Sequence, residues 1–240
     1  MTASVPATAV ADADLASVIA AGATELGLDL QAAQIHLLVA YLRLIDRWNL
    51  TYNLTAVRDP KAMATQHVVD SLAAIPTLRS LLRRDKPRIL DVGSGAGLPG
   101  VVVAIVEPRA TVVCVDSVGK KSAFVTHVAA SLGLGNLSAR HARVEDMTPP
   151  PSYDVIVSRA YATLADIVSS TRHVLAPDGE WLAMKGKSPT QEIAEASRLG
   201  VAFAVRPVRV PGLGAERCLL TAKDFPESER SPPTNSTSSS

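Results

Sequence analysis

LDVGSGAGLPG, residues 90–100, decides the fold because it places four glycines directly behind a short apolar segment that begins at Arg88. Glycine at this density allows tight turns and lets the backbone come very close to a ligand. A strand followed by a glycine-rich turn and the start of a helix is typical of nucleotide-binding α/β proteins. The stretch therefore predicts the first strand, loop and helix of an α/β domain with a ligand at the loop.

The sequence after Pro87 has the pattern that is typical of a mostly parallel sheet. Short β-branched segments alternate with helical segments, and the last two predicted strands are joined by the turn PGLGAE, residues 211–216. Such a pattern puts helices on both faces of the sheet and gathers the loops after the strands at its carboxyl edge. We predict a Rossmann-like, seven-stranded sheet with a terminal antiparallel hairpin, its strands at 88–92, 111–115, 137–140, 155–158, 180–184, 201–210 and 217–223.

The residues before the sheet have helical periodicity. We predict three N-terminal helices at 14–26, 28–49 and 59–75, the second capped by Asp29 and the third by Asp59. The two ends of the chain carry few apolar side chains and are expected to be disordered. The predicted divisions are a disordered segment 1–12, a helical region 13–85, the α/β domain 86–223 and a disordered Ser- and Pro-rich tail 224–240.

Charge and cysteine content narrow the possible partners. The net charge of the 240 residues is +1, but residues 43–88 hold nine basic and four acidic side chains, which form either a solvated surface or the place where a polyanion would bind. No apolar run approaches the roughly 20 residues of a membrane span. Cys114 and Cys218 lie far apart in predicted strands and have no disulfide or metal-ligand spacing. We expect a cytoplasmic protein without a membrane or metal partner.

The glycine-rich loop satisfies two fingerprints at once. Gly95, Gly97 and Gly100 spell G-x-G-x-x-G, the loop that binds dinucleotides such as NAD. Asp91 and Gly93 extend the same glycines to D-x-G-x-G-x-G, the loop by which methyltransferases hold S-adenosylmethionine. Other features of the chain have to discriminate between the two cofactors.

Three features favour S-adenosylmethionine over NAD. Asp91 at the loop entrance suits a ligand with an ammonium and a sulfonium better than one with a pyrophosphate. No Tyr-x-x-x-Lys pair of the short-chain reductases occurs, and the terminal hairpin suits the methyltransferase topology. Asp116, at the end of TVVCVD, can accept hydrogen bonds from the ribose of either cofactor. We predict a class I S-adenosylmethionine-dependent methyltransferase fold with Asp91, Gly95 and Asp116 at the cofactor.

The segment SRAYATL, residues 158–164, follows the fourth predicted strand, where the methyl group would face its acceptor. Amino-directed base methyltransferases carry [DNS]-P-P-[YFW] there, and this segment has neither proline. C5-pyrimidine chemistry needs a cysteine nucleophile, but Cys114 and Cys218 both lie within strands. An acceptor that needs no deprotonation remains, such as N7 of guanine. Catalysis would then rest on alignment for direct in-line methyl transfer, without a covalent intermediate.

Eight motifs occur in order along residues 42–222: RWNLTYNLTAVRDP, HVVDSL, ILDVGSGAGLPGVVVAI, VDSVGKK, ARVED, VSRAYATL, MKGK and PGLGAERCLL. Together they resemble the 16S ribosomal RNA (guanine-N7) methyltransferase family RsmG, also called GidB. YNLT and SRA are particular to this family, whereas many proteins share the glycine loop. The resemblance implies S-adenosylmethionine as the cofactor, a guanine N7 as the acceptor, and 16S ribosomal RNA or the 30S subunit as the partner.

The resemblance also implies cofactor contacts at matching positions. Gly93 and Leu98 would line the methionine and adenosine parts of S-adenosylmethionine. Val144 and Glu145 would flank the adenine, and the Arg159 guanidinium would meet the methionine carboxylate.

Seven further residues are candidates for contact with the substrate. The first four are expected to border the acceptor pocket and the last three, at or near strand ends, to hold phosphates: Asn53, Thr55, His67, Asp70, Lys120, Lys185 and Arg217. Helix capping, a surface pair and solvated lysines are the alternative interpretations of these residues. Methylation of another RNA or of a small molecule also remains open, as does a non-catalytic nucleoside-binding regulator.

Overall fold

Seven strands form one sheet in the computed structural model, which describes residues 7–148 and 152–224. They are β1 (Arg88–Val92), β2 (Thr111–Asp116), β3 (Leu137–His141), β4 (Tyr153–Arg159), β5 (Leu175–Lys185), β6 (Ala204–Val208) and β7 (Arg217–Lys223). The order across the sheet is β3-β2-β1-β4-β5-β7-β6. Strands β1 to β5 are parallel, and β7 runs antiparallel to β5 and β6. The predicted mostly parallel sheet with a terminal antiparallel hairpin is confirmed.

Helices cover both faces of this sheet. They are α1 (Ala7–Glu25), α2 (Ala32–Tyr52), α3 (Pro60–Met63), α4 (Asp70–Leu72), α5 (Ile75–Leu81), α6 (Gly100–Val106), α7 (Gly119–Leu132), α8 (Leu164–Thr171) and α9 (Thr190–Ser197). A π-helix, Ala64–Val69, lies between α3 and α4, and short 3₁₀ helices cover Val144–Asp146 and Arg172–Val174. None of the helices in the described ranges is long and apolar enough to cross a membrane.

Alternation along the strands divides the interior into two cores. Ile89 of β1 and Val112 of β2 belong to the core under α1, α2, α6 and α7. Leu90 and Val113, one residue further along each strand, belong to the core under α8 and α9. Because successive side chains of a strand point to opposite faces, a strand covered on both faces is apolar throughout. The N-terminal helices therefore pack against the same face as α6 and α7.

The N-terminal helices differ from the predictions in several respects: α2 covers Ala32–Tyr52 where the sequence predicts 28–49, and no helix is predicted at α5. Helix α1 begins at Ala7, so residues 7–12 are helical although the sequence predicts disorder there. Gln31 rather than Asp29 caps α2, through a capping box with Gln34. The third predicted helix contains a π-helical middle, which periodicity does not reveal. Residues 1–6 and the tail from residue 225 lie outside the described residues.

Candidate active site

Two cavities meet at the carboxyl edge of the sheet. The π-helix cavity, about 400 Å³, lies between the glycine-rich loop, the π-helix and the start of β7. The β2 cavity, about 270 Å³, lies beside the ends of β1 and β2 and the 3₁₀ helix Val144–Asp146. Gly93 and Ala160 line both cavities, so the two adjoin at the ends of β1 and β4. This edge is where parallel α/β sheets bind their ligands.

The backbone at Gly93 makes the floor between the two cavities. Gly93 has φ +66°, in the left-handed region that favours glycine, and its N–H donates to the Val115 carbonyl at 2.9 Å. An ideal Cβ at this position would lie 2.1 Å from Cδ2 of Tyr161. A side chain at residue 93 is therefore incompatible with the local packing as well as with the backbone conformation.

Asp116, predicted to bind a ribose, ends β2 and faces the β2 cavity with a side chain that is 7% exposed. Its Oδ2 accepts a hydrogen bond from the Gly95 N–H and its Oδ1 one from the Val118 N–H, each at 2.9 Å. A carboxylate oxygen has more than one acceptor site, so each can still receive a hydroxyl proton. Asp116 thus holds the glycine-rich loop in place and offers acceptors to a ligand.

Asp91 is a correction to the sequence-based expectation. Its side chain is fully buried beneath the loop, lines neither cavity, and accepts a hydrogen bond from the Gly100 N–H at 2.7 Å. Burial raises the pKa of the carboxyl group to about 7. The reason lies in strand alternation, since Asp91 points to the same face as Ile89, where α6 packs. Asp91 therefore anchors the N-terminus of α6, beneath the two cavities and not on their surface.

The remaining residues implied for the cofactor divide between the two cavities. Val144, which is buried, and Glu145, which is exposed, both line the β2 cavity. Gly95, Leu98 and Arg159 line the π-helix cavity. Because the cavities adjoin at Gly93, the structure brings these residues together at one continuous site.

Three elements converge on a buried carboxylate in the π-helix cavity. Asp70, at the start of α4, has a side chain only 4% exposed. Its Oδ2 lies 3.1 Å from Nη1 of Arg159 at the end of β4, and its Oδ1 lies 2.7 Å from Nε of Arg217 at the start of β7. Arg159 Nη1 also donates to the Gln66 carbonyl at 2.9 Å. Two guanidinium groups thus compensate one carboxylate, which buried ionic groups require.

His67 of the π-helix is a neutral side chain in the same cavity. It is 7% exposed, and its Nε2 lies 2.9 Å from the Thr55 hydroxyl oxygen. Burial and the nearby Arg159 lower the pKa of His67 to about 4. The π-helix widens the turn that carries His67 and Asp70 toward the cavity, and such helices are frequent at functional sites.

The neutral state of His67 predicts a pH dependence of stability. The unfolded chain takes up a proton here below pH 6.5, but the folded protein does so only near pH 4, so stability is lost as the pH falls between these values. Wild type should lose about 2 kcal/mol more than His67→Gln between pH 7.5 and pH 4.5 in urea unfolding. Asp91 titrates in both proteins and cancels in the difference. Parallel stability curves for the two proteins would contradict this expectation.

Three of the predicted substrate residues do not present free side chains to the site. Asn53 ends α2 in a left-handed conformation, accepts a hydrogen bond from Arg58, and lines neither cavity. Lys120 is exposed at the start of α7 and also lines neither cavity. Lys185 lines the π-helix cavity, but its Nζ contacts the Ala162 carbonyl at 2.5 Å and Glu192 at 2.9 Å. Thr55, His67, Asp70 and Arg217 do line that cavity.

Sequence reasoning missed two residues that shape the site. Ala160 has φ +52°, an uncommon conformation for a residue with a side chain, and it lines both cavities. Tyr161 packs its ring against Gly93 and lines the β2 cavity. The only signal for them is their place in SRAYATL, directly after β4. Backbone strain of this kind has no sequence signature in a non-glycine residue.

The sheet order, the antiparallel last strand, the glycine-rich loop and the acidic end of β2 define a class I S-adenosylmethionine-dependent methyltransferase fold. The ribosomal protein L11 methylase from Lactobacillus delbrueckii subsp. bulgaricus has this fold at TM-score 0.52 and 16% identity, with 65% of this chain and 79% of that chain covered. A SAM dependent methyltransferase from Aquifex aeolicus is similar at TM-score 0.51 and 17% identity, covering 77% and 97%.

Sequence comparison gives a closer relationship. The model of the GidB family, rRNA small subunit methyltransferase G, matches residues 34–220. Ribosomal RNA small subunit methyltransferase G of Acidovorax ebreus (strain TPSY) is 51% identical over 219 residues, which cover 88% of this chain and 96% of that protein. The chain belongs to the rRNA small subunit methyltransferase G family, and the family predicted from the motifs is confirmed.

Proposed function

We propose that the protein transfers a methyl group from S-adenosylmethionine to N7 of a guanine in 16S ribosomal RNA, free or within the 30S subunit. The observation that carries the proposal is the pair of adjoining cavities in a member of this family. One cavity has the groups that a nucleoside requires, and the other is lined by arginines and a neutral histidine. A ribosomal substrate also implies a cytoplasmic location.

The residues of the β2 cavity fit S-adenosylmethionine. Asp116 offers acceptors for ribose hydroxyls, and Val144 offers an apolar surface beside Glu145 for the adenine. The Gly93 backbone lines both cavities at the point where the methionine part would lie, and Arg159 would hold its carboxylate. When bound, S-adenosylmethionine supplies a methyl group whose bond to sulfur breaks as the bond to nitrogen forms.

The π-helix cavity fits an acceptor that needs no base. Asp70 is the only acid among the described residues that line it, and both of its oxygens are paired with arginines. The pKa of His67, lowered to about 4 by burial, makes this imidazole a weak base; its Nε2 lies 2.9 Å from the Thr55 hydroxyl, and its buried Nδ1 has no hydrogen-bond partner in the described part of the chain. N7 of guanine attacks with its own lone pair, so these residues have to position the base and not to remove a proton. Donor groups of Arg159 and Arg217 that no described residue engages can bind guanine O6 or a phosphate.

Asp116→Ala should weaken the affinity for S-adenosylmethionine at least about tenfold, since it removes charged hydrogen-bond acceptors and the anchor of the Gly95 N–H. Isothermal titration calorimetry measures this directly. Asp146→Ala is the matched control, because Asp146 is exposed in the neighbouring 3₁₀ helix and lines neither cavity. If Asp116→Ala and wild type bind S-adenosylmethionine with equal affinity, Asp116 does not bind the ribose.

The proposed reaction is tested with radiolabelled S-adenosylmethionine and 30S subunits that carry no methyl group at the target. We expect one guanine of 16S ribosomal RNA to become labelled and to yield 7-methylguanine on hydrolysis. If the cofactor binds but no RNA becomes labelled, the proposal fails and a nucleoside-binding regulator is favoured. Label in another RNA or in a small molecule would replace the substrate while keeping the cofactor.

A further inference from the structure

A third cavity lies beside the site and takes no part in the function proposed above. This hairpin groove, about 620 Å³, runs between the loop after β5 and the β6–β7 hairpin. Lys187, Arg209 and Arg217 line it together with apolar surface from Val208 and Leu213. Its volume lies within the usual range of ligand sites.

The hairpin groove continues from the π-helix cavity. Gly186 and Arg217 line both, so an extended molecule can occupy both without crossing a wall of the protein. Arg217 marks the junction, because its Nε is held by Asp70 on the side of the π-helix cavity. A nucleotide in the π-helix cavity would therefore have its neighbour along the strand at the hairpin groove.

Two cationic side chains of the hairpin groove, unlike those of the π-helix cavity, have no hydrogen-bond or ion-pair partner among the described residues. Lys187 and Arg209 are exposed, and neither side chain forms a hydrogen bond or ion pair with a described residue. Lys185, two residues from Lys187, is by contrast held by Glu192. Glu216 is the only acid among the described residues that line the groove. The groove thus presents an excess of positive charge that nothing in the described part of the chain neutralises.

The hairpin that forms one wall of the groove is held in place by packing within the protein. Val210, in the hairpin, is 2% exposed and packs with Val69 and Ala73 on the helical segment that carries Asp70. Gly212 follows with φ +72° and sits against Thr65, whose Cγ2 lies 3.4 Å from an ideal Cβ at Gly212. The hairpin is therefore fixed to the same helix that lines the π-helix cavity. A ligand in the groove would be held in register with the acceptor position.

We propose that the hairpin groove binds the single-stranded RNA next to the target guanine, with Lys187 and Arg209 on its phosphates and Val208 and Leu213 against a base. This inference rests on the proposed function and adds the course of the RNA strand. Free cations beside an apolar surface match the alternation of phosphate and base in an unpaired strand. A protein partner would have to supply acidic groups at the same spacing.

The test is a charge reversal in the groove, Lys187→Glu with Arg209→Glu. Arg198→Glu with Arg206→Glu is the matched control, because both residues are exposed, lie outside the basic segment 43–88, line none of the three cavities, and change the charge equally. Three quantities are measured over a range of salt: kcat/KM for methylation of 30S subunits, Kd for protein-free 16S ribosomal RNA, and Kd for S-adenosylmethionine.

The groove variant should lose at least about tenfold in kcat/KM and in affinity for protein-free RNA, and its salt slope should fall by about one for each phosphate contact. Its affinity for S-adenosylmethionine should stay that of wild type, and the control variant should follow wild type in all three. Wild-type values in the groove variant would overturn the inference, as would a defect on 30S subunits alone, which favours a ribosomal protein. Wild type that methylates no RNA would instead overturn the proposed function.

Discussion

Asp70→Ala is expected to lower the free energy of unfolding by about 2–4 kcal/mol and to abolish methyl transfer, because it leaves two partly exposed arginines without their buried carboxylate. Arg159 and Arg217 then lose the partner that orients them from opposite sides of the π-helix cavity. Urea unfolding measures the first effect. Transfer of label to 30S subunits measures the second.

Asp70→Asn keeps the shape of the side chain and tests the site even where the alanine variant fails to fold. It should lower kcat/KM at least about a hundredfold, since it removes the charge that holds both guanidinium groups. Asp85→Ala is the control for stability, because the Asp85–Arg109 pair is at least 75% exposed, and breaking it should cost less than about 1 kcal/mol. Transfer by Asp70→Asn within threefold of wild type would show that the cluster does not position the reactants.

Gly93→Ala should abolish the binding of S-adenosylmethionine, with a loss of about a hundredfold or more in affinity. The left-handed backbone costs about 1–2 kcal/mol for a residue with a Cβ. The added methyl group would also fall 2.1 Å from Cδ2 of Tyr161, so this ring, which lines the β2 cavity, has to leave its position. Calorimetric titration measures the affinity, and thermal unfolding measures the strain.

Gly133→Ala separates the effect of the left-handed backbone from the effect of the contact with Tyr161. Gly133 ends α7 with φ +65°, nearly the φ of Gly93, but an ideal Cβ there has nothing within 4 Å. Its alanine variant should show the same backbone strain and bind S-adenosylmethionine like wild type. If both alanine variants bind the cofactor equally well, the packing of Tyr161 against Gly93 does not shape the cofactor site.

The sequence predicts some residues of the site, but it does not show which distant residues contact one another there. The glycine-rich loop and Asp116 are readable because loop, strand end and helix start are neighbours along the chain. Asp70 meets Arg217 across 147 positions, and no local pattern records that contact. Thr55, His67, Asp70 and Arg217 are nominated correctly as lining residues, but their pairings come only from the folded chain.

The errors have a common physical origin. Asp91 and Lys185 are charged residues at strand ends, which the sequence assigns to ligands. In the structure one oxygen of Asp91 accepts a hydrogen bond from the Gly100 N–H, and Lys185 pairs with Glu192. Asn53 likewise ends a helix and binds Arg58. Which acceptor or donor a polar side chain finds depends on elements that arrive from elsewhere in the chain.

The sequence by itself determined the class of fold, the cofactor loop and the family, because apolar periodicity, glycine spacing and short motifs are local properties. Only the tertiary structure decided that two arginines share Asp70, that His67 is neutral, that Asp91 lies under the loop, and that a groove with free cations adjoins the π-helix cavity. Burial and charge compensation depend on which distant residues come together, and a side chain acquires its chemistry from those neighbours.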